Sequence, residues 1–132
     1  MHKKFTHSVK IYYEDTDSGG VVYYANYLKY LERGRSDFIY KSGINHFHLK
    51  KKYNTIFVVK NCNIDFKKPA FFEDDILVKT KIIDFSKFKI IFLQKIFKKK
   101  ELLVQAEVTI VSINDEGKIT KIPKIINKIL KK

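Results

Sequence analysis

Apolar and polar residues alternate from about Lys4 to Tyr13, with Phe5, His7, Val9, Ile11 and Tyr13 on one side of an extended chain, which predicts a strand. The alternation stops at Glu14–Gly20, where Glu14, Asp15 and Asp17 stand with Thr16, Ser18 and adjacent glycines. Such a stretch can turn sharply or take positive φ. Beyond it the period changes. From about Tyr24 to Ser42, at roughly 100° per residue, Tyr24, Tyr27, Leu28, Leu31, Gly34, Phe38 and Ile39 gather on one side and Lys29, Arg33, Ser36 and Tyr40 on the other, which predicts one long amphipathic helix. Gly43 stands where a helix C-terminal cap favours glycine. Gly34, inside the apolar stripe, costs about 1 kcal/mol of helix propensity relative to Ala. The compensation it predicts is a close approach of this helix to a sheet.

A second, short helix is predicted from Asn45, a suitable N-cap, to about Tyr53. Ile56–Phe66, Ile76–Phe85, Phe88–Phe97 and Leu102–Ile113 then read as strands, punctuated by Lys67-Lys68-Pro69-Ala70, Asp84-Phe85-Ser86-Lys87, the run from Lys98 to Glu101 and Asn114-Asp115-Glu116-Gly117. Strands so close in sequence are expected to pair antiparallel. Pro123 opens a last short helix, Lys124–Leu130, or a tail. The order predicts an α+β fold, a curved antiparallel sheet wrapped around one helix, with residues 1–132 forming a single domain.

Composition agrees with a packed interior. Of the 132 residues, 45% are hydrophobic and 14% aromatic, too many for a disordered chain. Cys62 is the one cysteine, so no disulfide within the chain and no paired-thiolate zinc site is possible. No apolar run approaches the length of a membrane span, and the segment Met1–Lys10 has no continuous apolar stretch, so a reducing, cytoplasmic setting is expected. The net charge of +13 would suit a polyanion, yet arginine appears only as Arg33 and Arg35 while lysine is spread along nearly every segment. Phosphate and base recognition favours clustered arginine, so a solvated basic surface is expected rather than a nucleic-acid face.

The carboxylate-rich loop lies directly before the long helix. A helix start leaves N–H groups unpaired and carries partial positive charge, so an oxygen gaining negative charge there would be stabilised. Taken alone, Asp17 or Ser18 could equally cap the helix or brace the loop.

A resemblance separates these readings. Lys10–Arg35, and more loosely almost the whole chain, resembles the YbgC-type acyl-CoA thioesterases of the 4-hydroxybenzoyl-CoA thioesterase family. The residues that carry it are Thr16-Asp17, Gly19-Gly20, Val21-Val22, Tyr24 and Tyr27, the helix Tyr30-Leu31-Glu32-Arg33-Gly34-Arg35, and the turn Asp65-Phe66-Lys67-Lys68-Pro69-Ala70 followed by Asp74-Asp75. The resemblance implies a hotdog fold, dimers that often pair into tetramers, active sites at the subunit interface, and Asp17 as the catalytic carboxylate. Many YbgC-type members carry histidine where this chain has Tyr24, and the 4-hydroxybenzoyl branch carries tyrosine. No imidazole is therefore available at that position, but the Tyr24 backbone N–H is. Gly20, Val58, Val59 and Lys60 are expected around the substrate. Val58 and Val59 would line the acyl pocket, and Lys60, Lys67, Lys68, Lys79 or Lys81 would reach the phosphates of coenzyme A.

The chemistry needs few groups. A thiol with pKa near about 8.5 leaves as thiolate without a dedicated acid. Asp17 would act as general base or as nucleophile, the helix start near Tyr24 would hold the thioester oxygen, and no cofactor or metal is expected, coenzyme A being part of the substrate. An acyl carrier protein is the alternative thioester donor. Glu32 is expected to pair with Arg35 or Ser36, and Arg35 with Glu14, Asp15 or Glu32 as a loop anchor. His46 and His48 are badly spaced for a metal, and His2 and His7 have no acidic partner nearby in sequence, so all four histidines are expected at the surface or in loops. Two rivals stand beside hydrolysis: a hotdog dehydratase or hydratase, which needs a histidine that the Gly-rich turn lacks, and a non-catalytic module binding acyl thioesters or nucleic acid.

Overall fold

The computed structural model describes residues 4–130. His2 therefore lies outside the described residues, as do the last two lysines. Strand β1 (Lys4–Lys10) leads through a single 3-10 turn, Tyr13–Asp15, to helices α1 (Asn26–Tyr40) and α2 (His46–Tyr53). Strands β2 (Ile56–Phe66), β3 (Asp75–Phe85), β4 (Lys89–Lys98), β5 (Glu101–Ile113) and β6 (Ile119–Thr120) follow, and a 3-10 turn at Lys124–Ile126 runs into α3 (Asn127–Leu130). One antiparallel sheet has the order β1-β3-β4-β5-β2, with β6 paired to β5. This is the hotdog arrangement, with α1 packed across the sheet.

Most predicted boundaries stand within a residue or two; the end of the first strand does not, and one short strand is additional. The first strand ends at Lys10 rather than Tyr13, because the Asp15 carboxylate accepts the Tyr12 N–H at 2.8 Å and draws the chain out of the ladder into the 3-10 turn. Helix α1 begins at Asn26, after a turn through Tyr24 and Ala25. The strand Ile119–Thr120 was not expected at all. Pairing also differs in one respect. Strand β2 neighbours β5 and not β3, which leaves β2 as a sheet edge.

The core joins Leu31, Phe38 and Ile39 of α1 to Val78, Ile82, Phe92, Ile96 and Val108 of the sheet. Each such side chain contributes about 1.5–3 kcal/mol when fully buried. Gly34 explains how closely the helix lies. A Cβ there would stand 2.8 Å from Val78 Cγ1, 2.9 Å from Thr80 Oγ1 and 3.0 Å from Gln94 Nε2. Buried Gln94 fastens the same spot: its Nε2 donates to the Leu31 carbonyl and to Thr80 Oγ1, each at 2.9 Å, and its Oε1 accepts from Arg35 Nη1 at 3.0 Å.

The apolar stripe of α1 is not all covered. Tyr24 and Leu28 are 64% and 49% exposed, while Tyr30, outside the predicted stripe, is buried. The Tyr24 ring lies 6.3 Å from that of Phe66 at the end of β2, and Phe66 and Val59 are exposed as well. A single subunit has no layer there to cover them.

Candidate active site

The loop before α1 is held on both sides. Thr16 and Val22 form an isolated bridge, and Val21 forms another with Phe71. The Asp17 N–H donates to the Val21 carbonyl at 2.9 Å, and the Gly20 N–H returns to the Asp17 carbonyl at 3.0 Å. Gly20 takes φ +80, which this tight turn requires and a side chain would strain. Across the gap, Val22 N–H reaches the Ala70 carbonyl at 2.9 Å and Phe72 N–H the Gly20 carbonyl at 3.1 Å. Antiparallel partners lie about 5 Å apart at Cα, so the Thr16–Val22 bridge brings Asp17 back toward the helix start two residues beyond Val22.

The helix start is fastened to the same loop. The Asn26 side chain donates to the Asp15 carbonyl at 2.9 Å, and the Tyr27 hydroxyl accepts the buried Ala70 N–H at 3.0 Å. Burial pushes the Tyr27 phenol up in pKa, so it stays neutral. Tyr27→Phe would leave the Ala70 N–H without a partner, at a cost of about 1–3 kcal/mol. Urea unfolding should show that loss as a lower midpoint at unchanged slope.

The first helical N–H groups are already used. Asn26, Tyr27 and Leu28 donate to the carbonyls of Tyr23, Tyr24 and Ala25, and Tyr23 N–H donates to Asp15. Among the described residues the N–H groups of Tyr24 and Ala25 have no such acceptor. They are the unpaired donors of this helix start. A cleft of about 260 Å³ is lined by Tyr24 together with Val22, Tyr27, Phe66, Lys67, Lys68 and Pro69.

Asp17 itself is exposed, and its Oδ1 accepts the Gly19 N–H at 2.8 Å. Its Oδ2 has no partner among the described residues. The structure thus puts Asp17, Gly20 and Tyr24 on one fastened loop. Val58, Val59 and Lys60 lie elsewhere, in the first half of β2. Val58 and Val59 line a cavity of about 120 Å³ with Glu32, Arg35 and Ser36. Lys60 is exposed at a break in register between Val59 and Asn61, a bulge that displaces it from the ladder. Lys67 and Lys68 pair with Asp65 and Glu101 at 2.9 and 2.6 Å, and Lys79 lies over the Phe97 ring.

Three expectations change. Arg35 is held by Gln94 rather than by the loop carboxylates; burial lowers its pKa and Glu32 opposes the shift. His7 does have an acidic partner, Asp37 Oδ2 at 2.7 Å, thirty residues away in sequence but adjacent across β1 and α1. His46 is half-buried, its Nε2 3.2 Å from Ser36 Oγ, and Ser36 donates to Glu32 Oε2 at 2.5 Å. No sequence signal links His46 to Ser36, because the turn between α1 and α2 brings them together. Glu32 pairs with Ser36 as helical spacing allowed.

Among the described residues no group of three His, Cys, Asp or Glu side chains is placed to hold a metal ion, and no helix is long and apolar enough to cross a membrane. A separate cavity of about 570 Å³ between Phe85, Lys87, Lys121 and Pro123 has no residue in common with the loop or with the first half of β2.

Comparison with known proteins bears on this geometry. The profile of the thioesterase-like superfamily matches residues 12–130. The chain is 40% identical over 88 residues to the acyl-CoA thioesterase YbgC of Helicobacter pylori, a stretch covering 67% of this chain and 63% of that protein, just under two thirds of its length. It is 34% identical to the acyl-CoA thioesterase YbgC of Haemophilus influenzae, over 87% of this chain and 84% of that one. The crystal structure of a probable thioesterase from Bartonella henselae superposes with a TM-score of 0.88 at 35% identity, covering 92% of this chain and 100% of that one. With that match running from the end of the first strand through the C-terminal helix, the chain belongs to the thioesterase-like superfamily.

Proposed function

We propose that the protein hydrolyses acyl-CoA thioesters to a carboxylic acid and coenzyme A. One observation carries this reading: a carboxylate with a free oxygen sits on a loop tied to a helix start whose Tyr24 and Ala25 N–H groups are unoccupied. In this mechanism Asp17 takes a proton from water as the water oxygen attacks the thioester carbon, or attacks that carbon itself. The carbonyl oxygen, now negative, accepts from the Tyr24 N–H, an interaction worth about 100- to 1,000-fold in rate. The C–S bond then breaks with its electron pair on sulfur. The thiolate needs no dedicated acid, because a thiol pKa near about 8.5 already makes it a competent leaving group. Gly20 lets the turn bring Asp17 close without a side chain in the way.

The active unit in this reading is a homodimer, with further pairing to a tetramer. Strand β2 is an open edge, exposed from Val59 through Asn63, and Tyr24 and Phe66 form an uncovered aromatic pair at its end. Antiparallel pairing of β2 with its own copy about that exposed middle satisfies the free edge. The two-fold axis then sets the Val58–Val59 end of one strand against the Phe66 end of the other. Asp17 and Tyr24 of one subunit meet Val58, Val59 and Lys60 contributed by its partner, and the exposed loop becomes enclosed. An acyl carrier protein would dock as donor against the basic surface, and the single unpaired Cys62 accords with a cytoplasmic setting.

The test is release of free thiol across acyl-CoAs of graded chain length, with the mass in solution measured by sedimentation. Turnover by a dimer or tetramer supports the reading. A monomer that binds acyl-CoA without releasing thiol favours the non-catalytic module.

A further inference from the structure

Residues 15–17 and 21–23 face each other as a short antiparallel ladder, in which the Thr16–Val22 bridge is flanked by the Asp17 N–H on the Val21 carbonyl at 2.9 Å and the Tyr23 N–H on the Asp15 carbonyl at 3.0 Å. The ladder ends at Tyr23. Beyond it the chain turns through Tyr24 and Ala25 into α1, so backbone bonding alone does not carry the position of Asp17 into the helix. One side chain does. Asn26, the first residue of α1, donates from Nδ2 to the Asp15 carbonyl at 2.9 Å and fills the second lone pair of that oxygen.

Among the described residues this is the one hydrogen bond between α1 and residues 12–22. Tyr30, one turn further along, adds no second tie, because its buried hydroxyl has no partner. The residue type is costly without such a role. Asparagine is a poor helix former favoured at N-caps, yet the cap position here is Ala25 and no side chain caps this helix. Asn26 stands two residues after Tyr24, whose N–H is free, and its acceptor stands two residues before Asp17.

We propose that Asn26 is a positioning residue: through the Asp15 carbonyl it fixes the reach of the Asp17 carboxylate to a thioester whose oxygen is held at the Tyr24 N–H. This deepens the hydrolase reading and rests on it. Asn26 itself touches no reacting atom. Without its donor the loop and the first helical turn shift independently, and a displacement of about 1 Å between reacting groups costs about 100-fold in rate. Stability depends little on the same bond, because the Asp15 carbonyl keeps the Tyr23 N–H and Asn26 is only half-buried, so that water reaches what is left unpaired.

Asn26→Leu, similar in size and without a donor, tests it by thiol release from acyl-CoA. Its kcat should fall about 10- to 100-fold, with KM within about threefold and the thermal midpoint within about 4 °C of native. Asn26→Gln, which keeps an amide donor, should recover kcat to within about fivefold of native. A role confined to packing would not produce the third result: in the Asp17→Asn background, where no carboxylate is left to place, Asn26→Leu should lower the residual rate by less than about threefold. The proposal is overturned by a kcat for Asn26→Leu within about threefold of native, by a loss carried in KM, by an Asn26→Gln enzyme as slow as Asn26→Leu, or by the full loss repeated on top of Asp17→Asn. Should Asn26→Leu fail to fold, Asn26→Ala takes its place in both backgrounds. Absence of thiol release from every thioester by the native protein would instead remove the hydrolase reading, and this one with it.

Discussion

Asp17→Asn is expected to lower kcat by about 100- to 10,000-fold while acyl-CoA still binds with nearly native affinity. The substitution isolates the chemistry because asparagine keeps an Oδ1 that can accept the Gly19 N–H, the 2.8 Å bond that closes the turn. The paired backbone bonds between residue 17, Gly20 and Val21 do not involve the side chain at all. What is lost is the negative charge, and with it either the proton acceptor for water or the attacking oxygen. Thiol release measured beside calorimetric binding separates the two effects. Loss of both together would mean that the loop had collapsed; retention of turnover within tenfold of native would place the base on another residue.

The largest stability effect is expected at Gly34→Ala, and its sign opposes helix propensity. Alanine would add about 1 kcal/mol of propensity in the middle of α1. Its Cβ would, however, lie 2.8 Å from Val78 Cγ1 and 2.9 Å from Thr80 Oγ1, closer than carbon atoms tolerate. Neither neighbour is a free side-chain end, since both stand on β3 in the middle of the core. Overpacking of this kind costs about 1–3 kcal/mol, and the shift also disturbs Gln94, which links α1 to the sheet and satisfies Arg35. A net loss of about 2 kcal/mol would lower the thermal midpoint by roughly 8 °C for a domain of this size. An unchanged or raised midpoint would show that the helix can rise off the sheet without cost.

Much of the fold was legible because local pattern and tertiary role coincide. The strands after Ile56 alternate strongly enough to be bounded within a residue, and the glycine inside the helical stripe foretold contact with the sheet before any sheet partner was known. The loop was legible for a different reason: carboxylates, adjacent glycines and a following helix are contiguous in the chain, so their spacing survives folding unchanged. His7–Asp37 and Ser36–His46 were hidden, since each joins residues whose proximity depends on how separate elements stack.

The sequence by itself determined the order of elements, the tight turn that holds Asp17 and the single long helix behind it, because each depends on neighbours within a few residues. Only the tertiary structure decided that β2 is an edge, that Tyr24 and Leu28 stay exposed, and that Glu32, Ser36 and His46 join in one hydrogen-bonded chain. Those features depend on which strand pairs with which. Alternation of side chains states that a strand has two faces, and it is silent on what lies along its edges.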